Sequence, residues 1–238
     1  MCNMKILKYI LISLVLISTA TFGQRGQLLH EGCVCFDSAF VDQSLNWYAL
    51  IRTERKFYFV LRPVKITLNT KNDCELSPLE IKTNISSRSQ FLIGINSKWE
   101  EREIYAPYNW DNSSGVDITK TDVDIYSINL RDDKKSTSNR LYRFGNNEFG
   151  GFAIVGINSS GQEIEHELQK SFDLAMIKRN GLFLKWFGDL DGDNRADLIL
   201  HVMTDGERGS FNYLFLSTGA GANEVIRKTA ETNIEHCN

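Results

Sequence analysis

Between residues 46 and 69 the chain reads NWYALIRTERKFYFVLRPVKITLN, three runs rich in aromatic and β-branched residues set off by short polar breaks. Successive side chains of an extended strand point to opposite faces. NWYALIRT (46–53), KFYFVLR (56–62) and VKITLN (64–69) are therefore read as consecutive strands, with Glu54-Arg55 as the first turn and Pro63 as a break or an edge position. The pattern returns in LEIKTNI (79–85), QFLIGI (90–95), VDIYSINL (123–130) and GFAIVGI (151–157), separated by polar connectors such as NWDNSSG (109–115) and RDDKKSTSN (131–139). One segment carries a competing signal: in residues 163–181, Ile164, Leu168, Phe172 and Ala175 fit a helical stripe. Asn180-Gly181 lies between two runs of strand composition, so a hairpin is preferred there, with a short helix only before Ser171. No unit recurs at 20 to 50 residues, which argues against a propeller or solenoid. The predicted fold is mainly β, an antiparallel β-sandwich or barrel-like arrangement that ends in a C-terminal three-strand meander.

The first residues, MCNMKILKYILISLVLISTATFG, place Lys5 and Lys8 before a run from Tyr9 to Ile17 that is apolar except for Ser13. This reads as a signal peptide, cleaved after Ala20 or, preferably, after Gly23. The run falls short of the roughly 20 apolar residues of a membrane-spanning helix, so no membrane insertion is expected after cleavage. Removing residues 1–23, which carry two lysines and no other charge, takes 238 residues to 215 and the formal charge from −3 to −5. A mildly acidic chain offers no field for nucleic acid. One domain is expected over 24–238, with 131–139 the candidate seam and 181–217 a strand, loop, strand, strand unit. Cys33, Cys35, Cys74 and Cys237 would then form disulfides in an exported protein, one of the first two reaching Cys74 and the other Cys237.

The chemically specific stretch is DLDGDNRAD (189–197), with carboxylates at its first, third, fifth and ninth positions: Asp189, Asp191, Asp193 and Asp197. Like charges this close repel unless a cation sits among them. A tightly curled loop turns alternate residues inward, and Arg195 at the seventh position offers its backbone carbonyl. The result is an all-oxygen set of the kind Ca²⁺ takes at about 2.3–2.6 Å; Mg²⁺ demands stricter octahedral geometry and suits it less. Gly192 and Asn194 supply the bends, both being residue types that tolerate left-handed backbone. The rival reading is a metal-free Asp-Gly turn. A helix-loop-helix calcium hand is excluded, because the twelfth position is Leu200 and LILHV (198–202) is a strand.

FGDLDGDNRADLIL (187–200) resembles the calcium loop of FG-GAP and VCBS-type repeats, whose pattern is Asp-x-Asp/Asn-Gly-Asp-Gly-x-x-Asp before an apolar strand. The resemblance implies a calcium site formed by the side chains of Asp189, Asp191, Asp193 and Asp197 and the carbonyl of Arg195. It departs from the family at Asn194, where glycine is usual, and in its single copy over 187–202. With calcium bound, the loop would clip GLFLKWFG (181–188) to LILHV, and SFNYLFLS (210–217) would add the third strand through the turn at 204–209.

Other chemistry is sparse. Alternation puts His201 on the face opposite Leu198, Leu200 and Val202, as a surface or hydrogen-bonded strand histidine. HELQK (166–170) lacks the second histidine of a zinc-protease motif, and GAGAN (219–223) lacks the third glycine of a dinucleotide loop. Trp99, Tyr105, Tyr108 and Trp110 cluster in sequence. Core packing or loop anchoring is the preferred reading of that cluster, and a platform for sugar rings is the rival. The expected function is that of a secreted or periplasmic, calcium-binding, non-catalytic module that engages a protein or glycan at the cell envelope. The alternatives are a secreted hydrolase whose active site assembles from scattered acidic and histidine residues, and a small secreted inhibitor or periplasmic partner protein.

Overall fold

A computed structural model of the chain describes residues 26–30, 32–34, 41–55, 57–70, 79–87, 89–106, 108–109, 116–118, 123–128, 139–146, 152–172, 181–203 and 209–235. The expected signal peptide, Cys35, Cys74, Cys237, Trp110, the seam at 131–138, the first arm of the hairpin expected at Asn180-Gly181, and the turn at 204–208 lie outside these residues. The described strands are β1 (Gly26–Leu29), β2 (Gly32–Val34), β3 (Asn46–Arg52), β4 (Tyr58–Val64), β5 (Ile66–Thr70), β6 (Leu79–Thr83), β7 (Phe91–Ile95), β8 (Arg102–Tyr105) and β9 (Tyr108–Asn109). They continue with β10 (Val116–Asp117), β11 (Val123–Ile128), β12 (Asn139–Asn146), β13 (Phe152–Ile157), β14 (Glu163–Glu167), β15 (Phe183–Gly188), β16 (Asp197–Met203), β17 (Gly209–Leu216) and β18 (Arg227–Glu235). The protein is mainly β, and among the described residues the single helical element is a 3₁₀ turn, Leu168–Ser171.

Among the described residues every pairing is antiparallel, in four open sheets: β2-β6-β5, β1-β7-β3-β4-β8, β10-β15-β16-β17-β18 with β9 also on β15, and β11-β12-β13-β14. Their cores run through one stack. The β3 sheet packs one face on the β6 sheet through Trp47, Ala49, Ile51, Leu79 and Ile81. Its other face meets the β16 sheet through Tyr48, Leu50, Ile93, Trp186, Ile199 and Leu214. The far face of the β16 sheet then covers the β13 sheet through Leu184, Leu198, Phe215 and Ile154. The arrangement is sandwich-like, with no closed barrel among the described residues, so of the two expected forms the sandwich describes it. Double coverage explains why FLIGI is apolar throughout: all five residues of β7 are buried, as an inner strand with two packed faces requires.

Local differences from the sequence reading have physical causes. Pro63 lies inside β4 rather than breaking it, opposite Tyr48 and beyond Leu61, the last residue that pairs with β8, so the missing N–H removes no bond on that side. The segment with a helical stripe is strand β14 followed by the 3₁₀ turn, and Ile164, Leu168 and Phe172 all reach the same core. The expected C-terminal meander is present as β15, β16 and β17, and β18 extends it.

Two glycines make room for indoles. Gly94 stands opposite Trp47, and a Cβ there would approach its ring to 2.8 Å. At Gly188 a Cβ would meet the ring of Trp186 at 2.5 Å; that ring is fully buried and lies edge-on to Phe59, 6.2 Å away across the two sheets. Gly188→Ala should therefore act as overpacking and cost about 2 kcal/mol. Thermal unfolding should show a midpoint lower by roughly 4–8 °C; an unchanged midpoint would mean that the sheets part freely at this contact.

Candidate metal centre

The loop 189–196 joins β15 to β16, and the pairing of Gly188 with Asp197 closes its base. Gly192 and Asn194 have φ values of 83° and 66°, the left-handed conformations expected of them. The carboxylates cap the loop's own backbone. Asp189 accepts N–H bonds from Gly192 at 2.6 Å and Asn194 at 2.9 Å. Asp197 accepts from Leu190 at 2.6 Å, Asp191 at 3.2 Å and, across the sheet, Ser217 at 2.8 Å.

Asp189, Asp191 and Asp197 each direct a carboxylate oxygen to one place, all within 4.8 Å of one another, and such a group can hold a metal ion. Asp189 is 2% exposed and Asp197 fully buried. Asp193 stands outside that group: its carboxylate receives Arg195 Nε at 2.7 Å and Nη2 at 2.6 Å, and Ser217 Oγ at 2.9 Å. Arg195 also donates to the carbonyl of Ser217 at 2.8 Å. Ser217 and Thr218, whose hydroxyl donates to Asp191, thus fasten the loop to the β17–β18 connection. Sequence reading missed them, because only the register that sets Leu198 opposite Phe215 carries Ser217 to the base of the loop.

Electrostatics follows from this crowding. Burial and then the charge of Asp191 push the Asp189 carboxyl up to about 6 from its ordinary 3.8, against the pull of the two N–H donors. Burial, then the charges of Asp191 and Asp189, raise Asp197 well above the carboxylate range, and burial raises Asp191. Without a cation, the folded loop takes up protons that the unfolded chain has released.

A cleft of about 540 Å³ opens beside the loop. Lys98, Trp99 and Glu100, from the segment between β7 and β8, and Arg102, the first residue of β8, form one wall; Asp189 and Asp191 face them. Tyr48 backs this wall, accepting a 2.6 Å bond from the Trp99 N–H and lying 5.4 Å from its indole ring. Arg102 reaches across to the carbonyl of Leu190 and lies 3.3 Å from where a Gly192 Cβ would be. Trp99 therefore both anchors a loop and lines a cleft, and Tyr105 packs on Tyr58 at 5.3 Å rather than beside it. His201 faces away from Leu198 and Leu200, as expected, and bonds Asn212 at 2.9 Å.

No protein-family model, no curated protein and no solved structure matches this chain.

Two outcomes test the electrostatics. For Asp189 the folded pKa of about 6 exceeds the ordinary 3.8, so its contribution to stability is complete below about pH 4 and is lost as pH rises through 6. In chelator, the thermal midpoint should fall by several degrees from pH 5 to pH 7, and a midpoint that rises over this window contradicts the assignment. Asp197→Ala leaves the N–H groups of Leu190, Asp191 and Ser217 without their acceptor and should cost about 3 kcal/mol or more in denaturant unfolding.

Proposed function

We propose that this chain is an exported calcium-binding module that engages a protein or glycan at the cell envelope and performs no catalysis of its own. The observation that carries the reading is the convergence of Asp189, Asp191 and Asp197 in one turn, two of them buried and Asp191 half-buried. Uncompensated carboxylates in such a place are costly, and a divalent cation relieves the cost. The donor set is oxygen alone, which favours a hard cation over zinc or copper, and Ca²⁺ tolerates an irregular cage better than Mg²⁺. When bound, the ion would supply two positive charges that offset most of the turn's negative charge. Asp189, Asp191 and Asp197 would hold it, with the Arg195 carbonyl and the Asp193 carboxylate as further oxygens, as the resemblance to FG-GAP and VCBS-type loops implies.

Export is read from the signal-like first 23 residues and the mildly acidic remainder. The hydrolase alternative would draw on the cleft, where Glu100 and Glu103 are the candidate acids apart from the aspartates of the turn. Both are exposed, and Glu103 pairs with Arg55 at 3.1 Å, so neither has the buried setting that tunes a general acid.

With a Kd on the order of 0.1 mM, millimolar calcium should stabilise the fold by about 1.4 kcal/mol. Thermal unfolding at pH 7 should show a midpoint higher by roughly 3–5 °C in calcium than in chelator, with magnesium at equal concentration giving less. In Asp191→Asn the difference should vanish. Equal midpoints for the unmodified chain in calcium and chelator would rule out the calcium reading.

A further inference from the structure

We propose that the cleft between Trp99 and the aspartate turn is the ligand site, and that it takes a neutral saccharide. The inference rests on the calcium reading and names the partner class for it. The volume, about 540 Å³, falls among those of small-molecule sites. The chemistry of the walls narrows the class. The indole of Trp99 lines the cleft and is fixed from behind by Tyr48, a rigid apolar surface against which the C–H face of a sugar ring packs. Around it stand donors, Lys98 and Arg102, and an acceptor, Glu100, so hydroxyl groups find partners of both kinds. Arg102 Nε–H is buried and has no acceptor among the described residues, which leaves this donor side unsaturated.

Charge excludes the strongly ionic ligands. Glu103 at the rim is held by Arg55. Lys98 and Arg102 bring two positive charges against one negative from Glu100, and the three carboxylates around a dication retain one more negative charge. The filled site is therefore balanced, which favours neither a polyanion nor a polycation. With the turn empty, its crowded carboxylates repel one another or take up protons and the wall loses both its charge balance and its fixed shape, so binding should depend on calcium.

The test uses the full mature chain in millimolar calcium or in chelator, on an array of glucan, mannan and galactan oligosaccharides printed beside polygalacturonate. Hits are followed by calorimetry, with the thermal midpoint measured in parallel. The expected result is retention of a neutral oligosaccharide in calcium that chelator abolishes. Trp99→Ala should weaken it roughly tenfold while keeping its calcium-dependent midpoint. The double variant Lys98→Ala with Glu100→Ala, at two exposed positions, should weaken it without touching the core. Retention of polygalacturonate alone, or of nothing by a chain whose midpoint still responds to calcium, overturns the proposal and leaves the calcium reading standing. A midpoint that ignores calcium locates the failure in the calcium reading itself.

Discussion

Three carboxylates forced into one small volume set the terms for everything around them. Each could have been solvated; instead two are sealed beneath the sheet surface and the third is half-buried. Backbone N–H groups of the same turn aim at them, so the chain wraps its own dipoles around the negative charge. Hydrogen bonds to an ionised acceptor contribute more than neutral ones, about 1.5–3 kcal/mol each, which is enough to shape a nine-residue turn but not to cancel three charges. Asp193 takes another course, discharged against Arg195 and Ser217. The turn thus brings together a group that could hold a metal ion, and the burial of Leu190 and Ala196 in the cores on either side of its sheet gives it a rigid base.

That base comes from layering. The β3 and β16 sheets are inner layers covered on both faces, and their inner strands β7 and β16 are correspondingly apolar without alternation where the cover is complete: Leu198, Ile199 and Leu200 are all fully buried. Trp186 and Phe59 meet edge to face between the two sheets. Only two residues separate Trp186 from Asp189, so the entry to the turn is anchored by one of the best-packed rings in the molecule. The cleft lies beside this contact, where the segment before β8 approaches the turn.

The spacing of the aspartates makes the turn legible from the amino-acid order alone, and the apolar strands on either side of it make the meander legible with it. Asn194 is readable as a left-handed residue because few others adopt that conformation. What stays hidden depends on distance in sequence. Short outer strands such as β1, β8 and β9 carry too few residues for a period to register, and β14 is obscured because Ile164, Leu168 and Phe172 satisfy a helical spacing as well as a strand running into a 3₁₀ turn. The separation of Asp193 from its three neighbours is a matter of rotamers. Ser217 and Trp99 join the site through register and sheet stacking, neither of which leaves a local signature.

The contact between the first and last described strands has a consequence for how the molecule is made. Leu28 N–H donates to the Thr232 hydroxyl at 3.3 Å, a bond between residues 204 positions apart, and Gly26 lies against the Thr229 methyl beside it. The inner layers cannot be fastened along this margin until β18 has left the ribosome. Pairing over such separations is slow, because the entropy of closing the loop is lost before any contact compensates for it. β1, an edge strand of its sheet, therefore stands uncovered along this margin until β18 is made, which exposes it meanwhile to pairing with other chains.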